Sequence, residues 1–356
     1  MEHELSVAPS RFYGFEAAKD AFASAYAGAR LHHAWLVTGP QGLGKATFAR
    51  ECAKFLLHHG QGGVQNTTMF GTAEPPSFDV PVDGQAARLV ESGGHPDLMV
   101  VQRLFDEKTA KFKQNISVEQ VRDQVNHFMS LTPTFDGWRV VIIDAADDMN
   151  ASSANALLKT LEEPPARAIL FLISHAPGRL LPTIRSRCRR LDFNPLPSES
   201  LQHILKDNGF MLSPGDEKAL ITLCEGRPGY LLELAANDGL ELYKRMIGLL
   251  ESQPTLDQAA LAKFADDIAR KDSMTSWPYF CEFSAGLLHR LIQAMAGEVP
   301  FRPVLAGEDA VHTSLKAKHS LDSLLEVWDN MRTLHADGNR LNLDKKQVVI
   351  SSMMAI

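Results

Sequence analysis

Gly39-Pro40-Gln41-Gly42-Leu43-Gly44-Lys45 has the residue types of a loop that wraps phosphate. Glycines at this spacing let successive backbone N–H groups turn inward around an anion, and the lysine reaches the β and γ oxygens of a nucleotide. The next residue ordinarily carries a hydroxyl that ligates Mg²⁺. Here it is Ala46. Thr47 follows one position later, where a helix turns its side chain by about 100°. Gly39, Gly42, Gly44, Lys45, Ala46 and Thr47 therefore make a degenerate phosphate site, with the cradle intact and the metal ligand lost. A second stretch, Val140-Val141-Ile142-Ile143-Asp144, ends an apolar run on an acid that is available to a metal. The residue after it, the place of a glutamate that activates water, is Ala145, and a methyl group accepts no proton. Asp147, three positions on, is expected to point elsewhere. Two losses at separate positions suggest a pseudo-enzyme, one that binds ATP or ADP weakly without turnover.

These residues need a particular frame. Ala34-Trp35-Leu36-Val37 supplies a short buried strand before the loop, and Thr47 to Leu57 a helix whose N-terminal dipole favours the anion. Beyond Asp144, helical spacing runs from Asn150 to Glu163, where Pro164-Pro165 stops it, and a second apolar run follows at Ile169–Ile173. Uninterrupted apolar runs flanking a helix require a parallel sheet covered on both faces, with the acid at its carboxyl edge. Leu98-Met99-Val100-Val101 is a further strand, and residues 117–131 and 12–30 carry helices. Residues 60–94, rich in Gly, Thr and Pro, predict a long surface excursion. Arg185, Arg187, Arg189 and Arg190 taken alone form a solvated basic edge. His32, His33, His58 and His59 have no cysteine or carboxylate at ligand spacing.

The whole chain sets outer bounds. Its 356 residues predict two or three domains. A net charge of −7 excludes binding to nucleic acid by bulk charge, so any DNA contact is local. No apolar run approaches the ~20 residues of a membrane span, and Met1-Glu2-His3-Glu4 lacks the layout of a signal peptide. Cys52, Cys188, Cys224 and Cys281 are scattered singly, as suits a reducing cytoplasm.

The chain resembles the delta-prime clamp-loader family of bacterial DNA polymerase III, within the AAA+ class. The resemblance is dense over residues 12–195. It rests on His33-Ala34-Trp35-Leu36, His95-Pro96-Asp97, Ile116-x-Val118-x-Gln120-Val121-Arg122, the string from Asn155 to Pro165 (NALLKTLEEPP), and the string from Leu181 to Cys188 (LPTIRSRC). The last two are long and specific; beyond residue 195 the match thins to pattern. In this family Ser-Arg-Cys gives an arginine to the nucleotide site of the neighbouring subunit, which implies Arg187 as a finger acting in trans. Ser174 falls at the family's polar sensor, with a strand-end cap as its alternative role. Many clamp-loader subunits carry a four-cysteine zinc module after the loop helix; no cysteine lies between Cys52 and Cys188, so no zinc and no other metal is expected. The lid arginine of the motor subunits aligns with Gly229.

The resemblance implies an α/β AAA+ P-loop domain over 1–195, a helical lid over 196–238 and an all-helical collar over 239–356, through which subunits join a ring. Apolar stripes at Leu242, Met246 and Leu249, at Leu287, Leu288, Leu291 and Ile292, and at Leu321, Leu324, Leu325, Val327 and Trp328 are read as core. It also implies a non-catalytic stator with gamma/tau and delta subunits as partners, meeting the sliding clamp and primer-template DNA through the complex, in the cytoplasm and not at a membrane. The competing readings are a gamma/tau-type ATPase and a P-loop protein outside replication.

Overall fold

The protein is described from a computed structural model covering residues 15–60, 67–68, 71–72, 76–106, 111–252, 257–270, 275–297, 299–341 and 343–356. Its apolar runs become parallel strands: β1 (Ala34–Thr38), β2 (Leu98–Val101), β3 (Arg139–Ile143), β4 (Ala168–Ser174) and β5 (Arg189–Asp192). They form one five-stranded sheet in the order β2-β3-β4-β1-β5. Thr38 of β1 pairs in register with Ser174 of β4 and Asp192 of β5, which brings the carboxyl ends of three strands to one edge.

Both faces are covered because the strands are apolar on both faces. Trp35, Val37, Ile142, Phe171 and Ile173 point into one cluster, with Phe22, Phe48, Cys52 and Phe55 from helices Glu16–Ala27 and Lys45–His59. Leu36, Val141, Ile143, Leu170 and Leu172 point into the other, with Leu157 and Leu161 of helix Ala151–Glu162. Each fully buried side chain of this size contributes roughly 1.5–3 kcal/mol. The loops at the sheet edge therefore hang from a fixed frame. Asn150 caps helix Ala151–Glu162 by accepting from the Ser153 N–H at 2.9 Å.

One expectation needs correction here. Residues 60–94 are not simply an excursion, for Gln85–Glu91 is a helix with Ala86, Ala87 and Val90 buried, Ala86 and Val90 against the first cluster. Seven residues with two alanines inward show too little apolar period to be seen. Residues 61–66, 69–70 and 73–75 of that stretch lie outside the described residues. The basic stretch around residue 190 is exposed, as a solvated basic edge would be, and it also forms a β-strand, β5, at the edge of the sheet. Its exposed position admits charge, and the Arg189 guanidinium stacks over the Trp35 ring, 4.8 Å from its centre. The helix expected over 117–131 is present at residues 118–130, with a π-helical stretch, Gln120–Asn126, running into the α-helical His127–Ser130.

The described residues divide into two compact units, one of 15–200 with 226–229 and the other of 201–225 with 230–356. The second is helical. It runs through Pro214–Leu223, Gly239–Glu251, Gln258–Ala269, Ser276–Met295, Glu308–Lys318, Leu321–Arg340 and Lys345–Ala355. Leu287, Leu288, Leu291 and Ile292 are buried as read from the sequence. In Gly239–Glu251 the buried set is Leu240, Tyr243, Met246, Ile247 and Leu250, not Leu242 or Leu249. The stripe of Leu321–Arg340 is also overturned in part, because Leu325 is 41% exposed while Leu324 is fully buried. Glu308, fully buried, accepts from Tyr243 Oη at 2.7 Å and from Arg290 Nη2 at 2.9 Å, so its charge is matched inside the core. No helix among the described residues is long and apolar enough to cross a membrane.

Candidate nucleotide-binding site and the arginine edge

The loop between β1 and helix Lys45–His59 has the backbone its glycines permit. Gly39, Gly42 and Gly44 take φ of 141°, 82° and 84°, a region that side chains strain. A Cβ at Gly39 would lie 2.5 Å from the Phe193 carbonyl, so the loop entrance passes against the exit of β5 with no room to spare. Gly44 caps the helix, its carbonyl accepting from Phe48 N–H at 2.9 Å, and the first-turn N–H groups stay free of intrahelical partners. Thr38 donates to Asp192 and its carbonyl accepts from Phe193 N–H at 2.8 Å, which ties the loop's root to β5.

Lys45 is 3% exposed and curls back over the loop, donating from Nζ to the Gly39 carbonyl at 2.6 Å and to the Pro40 carbonyl. Burial pushes its pKa down to about 8, against the pull of the Asp144 and Asp147 carboxylates. Burial likewise raises the pKa of Asp144, with His175, Arg50 and Lys45 opposing. The Ala46 methyl packs against the first apolar cluster. Thr47 lines a surface groove with Glu51, Lys54, Phe78 and Glu91. Ala145 is 8% exposed and follows Asp144 directly, so the position next to Asp144 carries a methyl group, while the Asp148 carboxylate lies near enough to push the Asp144 pKa up further.

Ser174 is fully buried and donates to Asp147 Oδ1 at 2.7 Å. The same carboxylate accepts from the backbone N–H of His175 and, at 3.3 Å, of Ala176. Asp147 is the functional-edge residue that the sequence reading set aside. It belongs to the 3-10 turn Ala146–Asp148, which swings it from the end of β3 onto the end of β4. The signal for it was an acid just past a strand end, with a serine closing the adjacent strand. His175 was also missed. It lies close enough to Lys45, Asp144 and Asp147 to feel all three charges, and burial lowers its pKa first.

Gly229, the aligned position of the lid arginine, lies against the loop itself. Its N–H donates to the Gly42 carbonyl at 2.8 Å, and a Cβ there would stand 3.1 Å from that oxygen. Among the described residues no group of histidines, cysteines and acids is placed to hold a metal ion, and all four cysteines are free thiols.

Arg187 is separate from this cradle. The turn Pro182–Arg185 ends at Ser186, and Arg187 projects from the stretch leading into β5. Its Nη2 lies 2.7 Å from Glu162 Oε1, and its Nη1 donates to the Thr183 carbonyl at 3.0 Å. The side chain is 35% exposed. Cys188 beside it is partly covered, and burial pushes its thiol up to about 12, out of nucleophilic range at neutral pH.

A parallel sheet in this order, with a glycine-rich loop after β1 and an acid after β3, defines a P-loop nucleotide-binding fold. Residues 14–197, more than half of the chain, match the family described as DNA polymerase III, delta subunit, and the chain belongs to that family. It is 40% identical over 156 residues to the delta-prime subunit of DNA polymerase III from Pseudomonas aeruginosa, covering 44% of this chain and 41% of that one. It is 32% identical over 210 residues to the delta-prime subunit from Bacillus subtilis, covering 59% and 55%. The tau subunit of the Escherichia coli polymerase is 27% identical over 311 residues, covering 81% of this chain and 43% of that one. The chain thus spans about half the length of the curated relatives it matches.

Proposed function

We propose that the chain is a delta-prime-type stator of a DNA polymerase III clamp loader, one that does not hydrolyse ATP itself. It supplies Arg187 to the nucleotide site of an adjacent gamma/tau-type ATPase subunit. The observation that carries this reading is a complete backbone cradle with Ala46 and Ala145 at the two positions where turnover needs a hydroxyl and a carboxylate. Gly39, Gly42, Gly44 and Lys45 then bind the phosphates of ATP or ADP weakly, with Asp144 left to face any accompanying Mg²⁺. Ser174, held by Asp147, fixes the strand end beside the loop. Asp147 does not replace the missing glutamate, because its oxygens are taken by Ser174, His175 and Ala176.

In trans, Arg187 meets negative charge as it develops on the neighbour's γ-phosphate. A planar guanidinium suits phosphate oxygens, and fingers of this kind are worth roughly 10³–10⁵ in rate in GTPases. The partners are gamma/tau and delta subunits, with the sliding clamp and primed DNA engaged through the assembly. The helical unit serves as the collar, and no zinc is required.

The second reading, a gamma/tau-type ATPase, is favoured by the long match to a tau subunit over 81% of this chain. It requires chemistry at residues 46 and 145 that alanine does not have. The test is steady-state ATP turnover of this chain assembled with the motor and delta subunits of its own organism. Loss of stimulated turnover in Arg187→Ala, with the assembly intact by gel filtration, supports the stator reading; undiminished turnover refutes it.

A further inference from the structure

Arg187 is held by its own chain at both terminal nitrogens, with a longer contact from Nη1 to Ser186 Oγ at 3.4 Å. Nη2 pairs with Glu162 at 2.7 Å and Nη1 donates to the Thr183 carbonyl at 3.0 Å. The anchors come from different elements: Glu162 ends helix Ala151–Glu162, and Thr183 lies in the turn Pro182–Arg185. Beneath them Leu161 and Ile184 share one apolar cluster, so the two anchors are fixed relative to each other. A guanidinium is planar and carries five N–H donors. Fixing both terminal nitrogens fixes the plane and still leaves donors for phosphate oxygens. Glu162 and Arg187 are 50% and 35% exposed, so the pair stands at the surface rather than inside the core.

We propose that Glu162 is the positioning residue for Arg187, holding the guanidinium in the pose that meets the neighbouring subunit's γ-phosphate. The inference rests on the finger reading above. Glu162 does not touch nucleotide; it acts through Arg187. Without it only Nη1 remains anchored, the plane of the guanidinium is no longer fixed, and the reactive geometry is reached less often. The loss falls on the rate step rather than on ATP binding, because the finger's contact strengthens as charge develops.

The experiment uses the assembled complex with ATP as the probe, and reads kcat, KM and the thermal midpoint of the chain. Glu162→Ala is expected to lower kcat about two- to fivefold, the span an exposed ion pair carries, with KM and thermal midpoint unchanged. Glu162→Gln, which keeps an oxygen for Nη2, is expected to restore most of the rate. Glu163→Gln, adjacent and exposed, is expected to leave it untouched. The double variant Glu162→Ala/Arg187→Ala is expected to match Arg187→Ala alone. An unchanged or raised kcat in Glu162→Ala, or a further loss in the double variant, overturns the proposal while the finger reading stands. If Arg187→Ala itself leaves turnover intact, the finger reading fails first and the role of Glu162 falls with it.

Discussion

The phosphate loop and the Arg187 edge lie on the same sheet and have kept opposite things. At the loop the backbone is whole: three glycines at positive φ, a helix N-terminus and a buried lysine. What is missing there is side-chain chemistry, at Ala46 and Ala145. At the edge there is no cradle, but one side chain is displayed at the surface and steadied by a carboxylate and a carbonyl. The difference separates two properties that P-loop proteins usually carry together. Shape for a nucleotide depends on φ angles and close approach, while turnover depends on a few oxygens at fixed positions. A chain that keeps the first without the second can hold a fold or a ligand while acting on someone else's substrate.

The largest effect of a single substitution is expected at the edge. Arg187→Ala should lower ATP turnover of the assembled complex by about 10³-fold or more, with nucleotide affinity of the isolated chain unaltered. A loss of affinity in the isolated chain would mean that the two regions are one site.

Next comes the cradle's shape. Gly39→Ala places a side chain at a φ of 141° and 2.5 Å from the Phe193 carbonyl. It should cost about 3 kcal/mol in urea unfolding and abolish ADP binding by calorimetry. A neutral result would show that the loop is softer than its contacts suggest.

A smaller effect sharpens the role of Lys45. Its pKa in the free chain is about 8, and a bound phosphate favours the charged form, so the bound value lies higher. Affinity for ADP should therefore be flat below that pKa and fall by up to about tenfold per pH unit above it. Lys45→Met should bind weakly at every pH and show no such fall. A pH-independent affinity in the wild type would place the phosphates away from Lys45.

Much of the frame was legible because burial on both faces writes itself as continuous apolar runs. That is how β1, β3 and β4 stand in the sequence, and why Asp144 could be set at the sheet edge. β5 was not legible, since an edge strand tolerates charge and Arg189-Arg190-Leu191-Asp192 looks like solvated surface. Helix Gln85–Glu91 was hidden by its length and its alanines. In the site, the glycines and Lys45 followed from spacing alone. Asp147 did not, because its role depends on a 3-10 turn that carries it onto a different strand. The Glu162–Arg187 pair is invisible for the same reason: no local rule relates the end of one helix to a residue beyond the next strand.

Whether the loop has kept its shape and lost its turnover is decided by ATP hydrolysis of the purified chain alone, wild type beside Lys45→Ala. No hydrolysis above background is expected in either protein, together with detectable ADP binding in the wild type. Robust turnover in the wild type, abolished by Lys45→Ala, would contradict it and make this chain a motor.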